Sequence, residues 1–185
     1  AMLIENGRYS DAGFHLFNAL KIAEERNLTE IKGSILTNIG LLFFNQEEWD
    51  KSIDYYTKSI PIKIKVKDFA GLALLYNNIG IAYFYKDMPD SVLVNFQRSL
   101  DLYIKIGDKL GQTRPLFNIG EVYYSKGDYN KAMEFYNKSI TLEREIGYKK
   151  GVAASLIYIG TLYADRKDFI NALKNQYEGM ALTKE

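Results

Sequence analysis

The feature that most constrains this chain is a short segment that recurs every forty residues. Asn-Ile-Gly occurs at 38–40, 78–80 and 118–120, and Tyr-Ile-Gly stands at 158–160. The four glycines are evenly spaced, with no residue inserted or deleted between them. A fixed period of this size indicates stacked supersecondary repeats, because such a repeat cannot bury its apolar face alone and packs it against its neighbours.

The first half of each repeat predicts a helix with one packed face. Leu36, Ile39, Gly40 and Phe43 have the i, i+3, i+4, i+7 spacing of such a face, and the spacing recurs in the later repeats. A glycine inside a helix costs about 1 kcal/mol relative to alanine. Because the glycine keeps one register, we expect a neighbouring helix to approach it too closely for a side chain.

The second half of each repeat, after a polar stretch such as SKGDY at 125–129, predicts another helix. A small residue, an aromatic residue and a small residue share one of its faces, as in Ala132, Tyr136 and Ser139. This helix is expected to end in a left-handed residue. The residues at that register are Asn27, Lys67, Gly107 and Gly147.

Two prolines and one alternating stretch fit this pattern less well. PIKIKVKD at 61–68 alternates apolar residues with lysine, which is typical of a half-buried strand, but its counterparts in later repeats are helical in pattern. The repeat therefore favours a helix here, with a kink at Pro61 and a disturbed start to the helix that contains Pro115. We interpret the nearby lysines as solvating the helix, with a site for phosphate or an acidic partner as the alternative. These are Lys58, Lys63, Lys65 and Lys67.

These residues resemble the tetratricopeptide repeat (TPR) family, whose signature has a large apolar residue, Leu-Gly and a tyrosine, then alanine, an aromatic and a small residue. The matching residues of one repeat are Leu116, Ile119, Gly120, Tyr123, Ala132, Tyr136 and Ser139. The usual repeat has about 34 residues, so this chain is similar to the long-repeat subgroup of kinesin light chains, LGN-type polarity scaffolds and bacterial signalling proteins. The resemblance implies an all-α fold, a right-handed α-solenoid of stacked antiparallel helix pairs.

The predicted organisation is a single TPR array over residues 1–185. A partial repeat at 7–28 precedes helix pairs at 31–67, 71–107, 111–147 and 151–183, and residues 1–6 would be the end of a preceding first helix. Solenoids need capped ends, and no polar capping helix follows the last pair. We therefore interpret the chain as a piece of a longer protein.

A second face of the first helices carries the candidate binding residues. Asn38 lies roughly 150° from the packed face on a helical wheel, Asn78 and Asn118 recur in line with it, and Tyr158 takes this place in the last repeat. An asparagine side chain can pair with a peptide N–H and C=O together. Stacked helices about 8–10 Å apart would offer one asparagine for about every three residues of an extended peptide.

In the resembled scaffolds the first helices line a concave groove, and asparagines at this register contact the backbone of a bound peptide. The resemblance implies this role for Asn38, Asn78 and Asn118. The alternative is that each asparagine only bonds a neighbouring repeat and holds the pitch of the stack. The other residues predicted to line the groove are Thr37, Asn77, Leu41, Phe44, Ile81, Phe84, Tyr85, Arg114, Phe117, Glu121, Tyr124, Tyr158 and Asp165.

Composition narrows the function classes. Lys plus Arg number 24 and Asp plus Glu 23, so a net charge of +1 provides no general attraction to nucleic acid or anionic membranes. Cysteine is absent and histidine occurs once, at His15, which we expect at a surface or interface rather than in a catalytic role. No catalytic residue, metal site or cofactor is predicted, and no apolar run approaches the roughly twenty residues that span a bilayer.

The sequence therefore predicts a protein- or peptide-binding scaffold that is not an enzyme. We interpret it as the sensory or regulatory part of a larger cytoplasmic signalling protein of a bacterium. The alternative is a structural spacer or dimerisation arm without a peptide ligand, in which apolar residues of the last helix form a homodimer. These residues are Leu173, Tyr177 and Met180.

Overall fold

A computed structural model of the chain describes residues 2–183, with side chains from residue 11 onwards. The described residues form α-helices joined by short turns, with no strand among them, which confirms the all-α prediction. In chain order the helices are α1 (Met2–Glu25), α2 (Thr29–Asn45), α3 (Trp49–Lys65), α4 (Phe69–Tyr85), α5 (Pro89–Ile106), α6 (Lys109–Ser125), α7 (Tyr129–Glu145), α8 (Lys149–Asp165) and α9 (Phe169–Leu182). The even-numbered helices are the first helices of the repeats.

The chain divides into two compact units, unit 1 (Ala1–Leu102) and unit 2 (Tyr103–Glu185). Within unit 1, α2 packs on α1 and α3, and α3 packs on α4. Within unit 2, α7 packs on α6 and α8, and α8 packs on α9. Each of these helices packs on its sequence neighbours, as stacked helix pairs require. The extension of one array over both units stays a prediction.

The glycines of the first helices lie where the second helix comes closest, as the sequence predicts. A Cβ added to Gly40 would lie only 2.5 Å from the ring of Tyr56, and the glycines forty, eighty and 120 residues later are crowded by the second helix in the same way. Gly33, earlier on α2, faces Ile62, which is later on α3. The two helices of the pair are therefore antiparallel.

The turns between helices use left-handed residues. The residues with positive φ are Asn27 (54°), Glu47 (60°), Lys67 (59°), Asp87 (54°), Gly107 (73°), Gly127 (74°), Gly147 (69°) and Lys167 (61°). Those expected at the ends of the second helices are confirmed. Glu47, Asp87 and Lys167 add a left-handed residue inside three repeats, where a residue other than glycine costs about 1 kcal/mol.

Pro61 and Pro115 both lie inside helices. α3 runs through Pro61 to Lys65, so the strand-like alternation of this stretch does not prevent a helix. The expectation that Pro115 disturbs the start of α6 is wrong, because α6 begins at Lys109, the register at which α4 and α8 begin. The Asp108 side chain accepts a hydrogen bond from the Gly111 N–H at 2.8 Å and fixes this start independently of the proline.

The N-terminal helix differs from the prediction. α1 is continuous from Met2 to Glu25 and passes through Gly7, where a new helix was expected to begin. A single glycine weakens a helix by about 1 kcal/mol and does not end it. Residues 2–6 therefore belong to the same helix as the residues of the partial repeat.

Candidate functional site

In unit 1 the predicted binding face lies on α2 and α4. Its exposed members are Asn38, Leu41, Phe84 and Tyr85, and its half-buried members are Phe44, Asn78 and Ile81. Leu41 is 46% exposed and Phe84 is 43% exposed, although both lie on helices whose opposite face is in the core. This face is therefore open to a partner over two consecutive repeats.

Asn77 does not belong to this face, and the prediction is wrong for it. Asn77 is only 1% exposed. Thr37, forty residues earlier, is half-buried; its hydroxyl donates to the Gly33 carbonyl at 3.0 Å and lies 3.1 Å from the Ser59 hydroxyl on α3. On the wheel both residues border the packed face.

Asn78 connects two repeats. Its side chain lies beside the hydroxyl of Tyr56 on α3 in the preceding repeat, close enough to affect the pKa of that phenol. Burial raises the pKa of the Tyr56 phenol, and the polar side chains of Ser52 and Asn78 act in the opposite direction. Asn78 thus has the kind of contact that the pitch-holding interpretation requires.

Four aromatic side chains, named here the aromatic platform, lie at the ends of α2 and α4 and the start of α3. They are Phe44, Trp49, Phe84 and Tyr85. The rings of Trp49 and Tyr85 stack with their centroids 4.8 Å apart and 9° between their planes. Phe44 meets both rings edge-on, at 5.0 Å from Trp49 and 5.9 Å from Tyr85. Trp49 was missed from the sequence because it lies on the next helix, which the wheel of a first helix does not include.

In unit 2 the predicted face is partly occupied by the protein's own contacts. Phe117 packs edge-on against Tyr158 with 4.7 Å between centroids, and its ring lies 5.4 Å from that of Tyr136. The Tyr136 hydroxyl donates to the Glu121 carboxylate. Burial raises the pKa of the Glu121 carboxyl, and this hydrogen bond acts in the opposite direction.

A second polar contact of unit 2 joins Tyr124 on α6 to Asp165 at the end of α8. The Tyr124 hydroxyl donates to the Asp165 carboxylate, which raises the pKa of Tyr124 to about 12. Arg114 and Tyr158 are exposed, and Asn118 is half-buried. Arg114 and Tyr158 therefore remain accessible while Glu121, Tyr124 and Asp165 are engaged with neighbours in the same unit.

Among the side chains that the structure describes, each unit buries one charged group near the end of a second helix. Lys63 is 8% exposed, and its ammonium lies 2.6 Å from the Asp68 carboxylate. The interpretation of Lys63 as a solvated residue is therefore wrong, whereas Lys58 is exposed and pairs with Asp54. Glu143, eighty residues after Lys63, is 5% exposed and accepts hydrogen bonds from two serine hydroxyls.

Neither a metal site nor a membrane-spanning helix is found among the described residues. From residue 11 to 183, no group of three His, Cys, Asp or Glu side chains could hold a metal ion. None of the helices in the described chain combines the length and apolar character of a membrane span. His15 is exposed and lies beside Phe14.

A family model for the tetratricopeptide repeat matches residues 31–105, 71–145 and 111–185 in overlapping segments. The chain belongs to the tetratricopeptide repeat family. The predicted family and the TPR-type solenoid fold are thereby confirmed. No curated protein sequence matches the chain.

Solved structures of low sequence identity share the fold. BtubC (BKLC) from P. vanneervenii matches with a TM-score of 0.86 and 15% identity over 97% of this TPR chain and 75% of that protein. The quorum sensor NprR from B. thuringiensis, in its apo form, has a TM-score of 0.73 and 21% identity over 100% of this chain and 52% of its own. The Rap conjugation gene regulator of plasmid pLS20, solved with a Phr peptide, has a TM-score of 0.69 and 19% identity over 82% of this chain and 42% of its own. At these identities the likeness establishes the fold.

Proposed function

We propose that this TPR protein is an interaction scaffold whose first helices present an exposed face to an extended segment of a protein partner. It would act as the regulatory part of a larger cytoplasmic signalling protein of a bacterium. The observation that carries the proposal is the open face of α2 and α4, where Asn38, Leu41, Phe84 and Tyr85 stay exposed on helices that are otherwise packed. The regulators NprR and Rap, one of them solved with a peptide, share this fold.

The asparagines supply the chemistry of backbone recognition. Asn38 is exposed, and its amide has no hydrogen bond to another described side chain, so both its donors and its acceptor can meet a peptide group. Asn78 is half-buried beside the Tyr56 hydroxyl, and its amide carries two donors and one acceptor. Both proposed roles of the asparagines are compatible in this geometry, since one side chain can hold the stack and still accept from a ligand.

The experiment is to select peptides from a random display library on the whole chain and to measure their affinity for variants. Asn38→Ala is expected to weaken the selected peptides by about ten-fold, the loss of one or two hydrogen bonds, without changing the melting temperature. Tyr56→Phe is the matched control for Asn78→Ala, because it removes the hydroxyl beside Asn78 and keeps the amide. If no peptide is selected, or if Asn38→Ala binds as the parent does, the proposal fails.

The same comparison separates contact from architecture. If Asn78→Ala weakens peptide binding and Tyr56→Phe does not, then Asn78 contacts the peptide. If the two variants lose affinity and stability equally, then Asn78 acts only by holding the repeats together.

The second candidate function is an assembly arm, and one observation on α9 favours it. Five large apolar side chains of this helix are exposed: Phe169 (63%), Ile170 (83%), Leu173 (52%), Tyr177 (68%) and Met180 (51%). At the registers of Ile170 and Tyr177, the helix α7 carries exposed asparagines, Asn130 and Asn137. An apolar residue at a position that α7 leaves polar is typical of a contact with another protein surface.

Light scattering on the whole chain tests this candidate. Self-association that is lost in Ile170→Asn/Tyr177→Asn, with an unchanged melting temperature, would support the arm. A chain that stays monomeric at high concentration would contradict it. Neither result alters the expectation for peptide binding at α2 and α4.

A further inference from the structure

We infer that the aromatic platform of unit 1 receives an arginine side chain from a basic segment of the partner. The inference rests on the proposed function and specifies the chemistry of its ligand. It follows from two observations in the same two turns: rings that lack a cation and carboxylates that lack a cation.

The rings of the platform are exposed to a degree that its internal packing does not require. Tyr85 is 60% exposed although Trp49 stacks on one face of its ring, so much of its side chain is in contact with solvent. Phe84 stands edge-on to Tyr85 at 6.1 Å and is itself 43% exposed. A planar guanidinium stacks on such a face more favourably than an ammonium does.

Three other rings of unit 1 are each approached by one of the protein's own cations. Lys51 lies 5.2 Å from the centre of the Phe43 ring, Lys58 lies 4.8 Å from that of Tyr55, and Arg98 lies 5.5 Å from that of Tyr76. Among the described side chains, no Lys or Arg takes this position over Phe44, Trp49 or Tyr85. The platform rings can therefore accept a cation from a partner, in the way that these neighbouring rings accept a lysine or an arginine of the protein itself.

Two acidic residues in the turns next to the platform have no basic partner. Glu47 stands two residues before Trp49, and Asp87 stands two residues after Tyr85, so the ring stack brings the two turns together. The basic residues nearby are engaged, because Lys86 pairs with Asp50 and Lys51 with Glu48. Neither Glu47 nor Asp87 forms an ion pair with any side chain that the structure describes.

The corresponding turns of unit 2 differ in both features. Tyr124 and Tyr129, at the registers of Phe44 and Trp49, pack with their centroids 5.8 Å apart and 46° between their planes. Gly127 occupies the left-handed position of Glu47, and Lys167 occupies that of Asp87. Asp165 stands at the register of Tyr85 and accepts a hydrogen bond from Tyr124 instead of stacking. A cationic ligand is therefore expected at the turns of unit 1 and not at those of unit 2.

The site carries its own reporter, because Trp49 is the sole tryptophan of the chain. The experiment follows its fluorescence while an acetylated, amidated arginine-rich peptide is titrated into the whole chain. The same peptide with citrulline in place of arginine keeps the shape and removes the charge. We expect saturable binding of the arginine peptide that weakens with salt, and affinity lower by about ten-fold or more for the citrulline peptide.

The test variant is Glu47→Gly/Asp87→Asn, which removes both charges and places residues that tolerate the left-handed conformation. It is expected to lose about ten-fold in affinity for the arginine peptide while its melting temperature stays equal or rises. Lys167→Gly is the matched control, since it makes the same backbone change in unit 2 and leaves binding unchanged. Tyr85→Leu is expected to abolish the change in fluorescence.

The outcomes distinguish this inference from the proposed function. Equal binding of the citrulline peptide, or full affinity of Glu47→Gly/Asp87→Asn, would overturn the inference. If library peptides depend on Asn38 but contain no basic residue, the inference is wrong and the proposed function stands. If the arginine peptide binds through Tyr85 and is indifferent to Asn38→Ala, the inference stands and the asparagine-based groove is rejected.

Discussion

The junction of α3 with α4 in unit 1 and that of α7 with α8 in unit 2 occupy the same register but bury opposite charges. In unit 1, Lys63 pairs with Asp68, which also caps α4 by accepting from the Gly71 N–H at 2.8 Å. In unit 2, Glu143 accepts from Ser139 at 3.1 Å and from Ser155 at 2.8 Å. One backbone arrangement therefore tolerates either charge, provided that the residues around it change together.

The residues that change with the charge can be identified. Tyr148 precedes α8 at the register where Asp68 precedes α4, so unit 2 has no acidic partner there for a lysine. Ser155 replaces Leu75, which supplies a hydroxyl donor to a carboxylate. The repeat therefore determines where a side chain lies, and the neighbouring side chains determine whether it can be a lysine or a glutamate.

The largest expected effect comes from reversing the charge at position 143 without providing an acidic partner for it. Glu143→Lys places a buried ammonium beside neutral serine hydroxyls, which cannot compensate its charge. We expect a loss of about 3 kcal/mol in the free energy of unfolding. Adding Tyr148→Asp recreates the pair of unit 1 and should recover most of that loss. Urea denaturation of the single and double variants measures both values. A Glu143→Lys protein as stable as the parent would contradict the comparison.

The next largest effect is a difference in the stability lost when each of two buried tyrosines, Tyr136 and Tyr56, is replaced by phenylalanine. Tyr136→Phe removes the hydroxyl that donates to the half-buried Glu121 carboxylate, and we expect a loss of about 2 kcal/mol. Tyr56→Phe removes a hydroxyl whose polar neighbours, Ser52 and Asn78, are neutral, and should cost about 1 kcal/mol or less. Phe96 already stands at this register, so phenylalanine fits the space. Equal losses in the two variants would show that the charge of Glu121 is unimportant.

A smaller effect depends on pH at Glu143. Burial raises the pKa of this carboxyl above its ordinary value of 4.5, against hydrogen bonds from Ser155 and Ser139. Its contribution to stability is therefore complete below the unfolded pKa and is lost as the pH rises through the folded pKa. Glu143→Gln should be more stable than the parent at neutral pH, on the order of 1 kcal/mol, and the gain should vanish in acid. Thermal melts across pH measure it, and a gain independent of pH would contradict the assignment.

The smallest effect has the opposite pH dependence and lies in unit 1. The bond with Lys63, together with that from Gly71, lowers the pKa of Asp68 below its ordinary value of 3.8. The stability it contributes is present above that value and is lost as the pH falls through the folded pKa. Asp68→Asn keeps a capping side chain and should cost about 1 kcal/mol or less at neutral pH, since the pair is partly exposed. The cost should disappear in acid; a cost that persists there would assign it to the cap.

The fold could be predicted because its determinants repeat. A glycine at one register in four repeats has few explanations other than a close second helix, and the contacts of Gly40 with Tyr56 confirm it. The left-handed ends at Asn27 and Lys67 followed from the same register argument. By contrast, the effect of Pro115 was misjudged because Asp108, which fixes the helix start, acts through one local hydrogen bond.

The candidate site was predictable only in part, for a geometric reason. A helical wheel assigns directions around one helix and cannot indicate how far the neighbouring helix reaches, so it placed the buried Asn77 on the open face. It also omitted Trp49, which joins the platform from another helix. The burial of Lys63 was missed for the same reason, since its partner Asp68 lies beyond the helix that carries it.

The contacts described here join residues that are close in the chain, and this has a consequence for folding kinetics. Tyr136 and Glu121 are 15 residues apart, Asp50 and Lys86 are 36, and Tyr124 and Asp165 are 41. Closing loops of this length costs little entropy, so no distant encounter has to precede the first stable structure. Any helix pair can serve as the starting point, and its neighbours can add to it in either direction. By the same reasoning, a force applied along the chain would meet a series of small barriers, each the release of one helix pair.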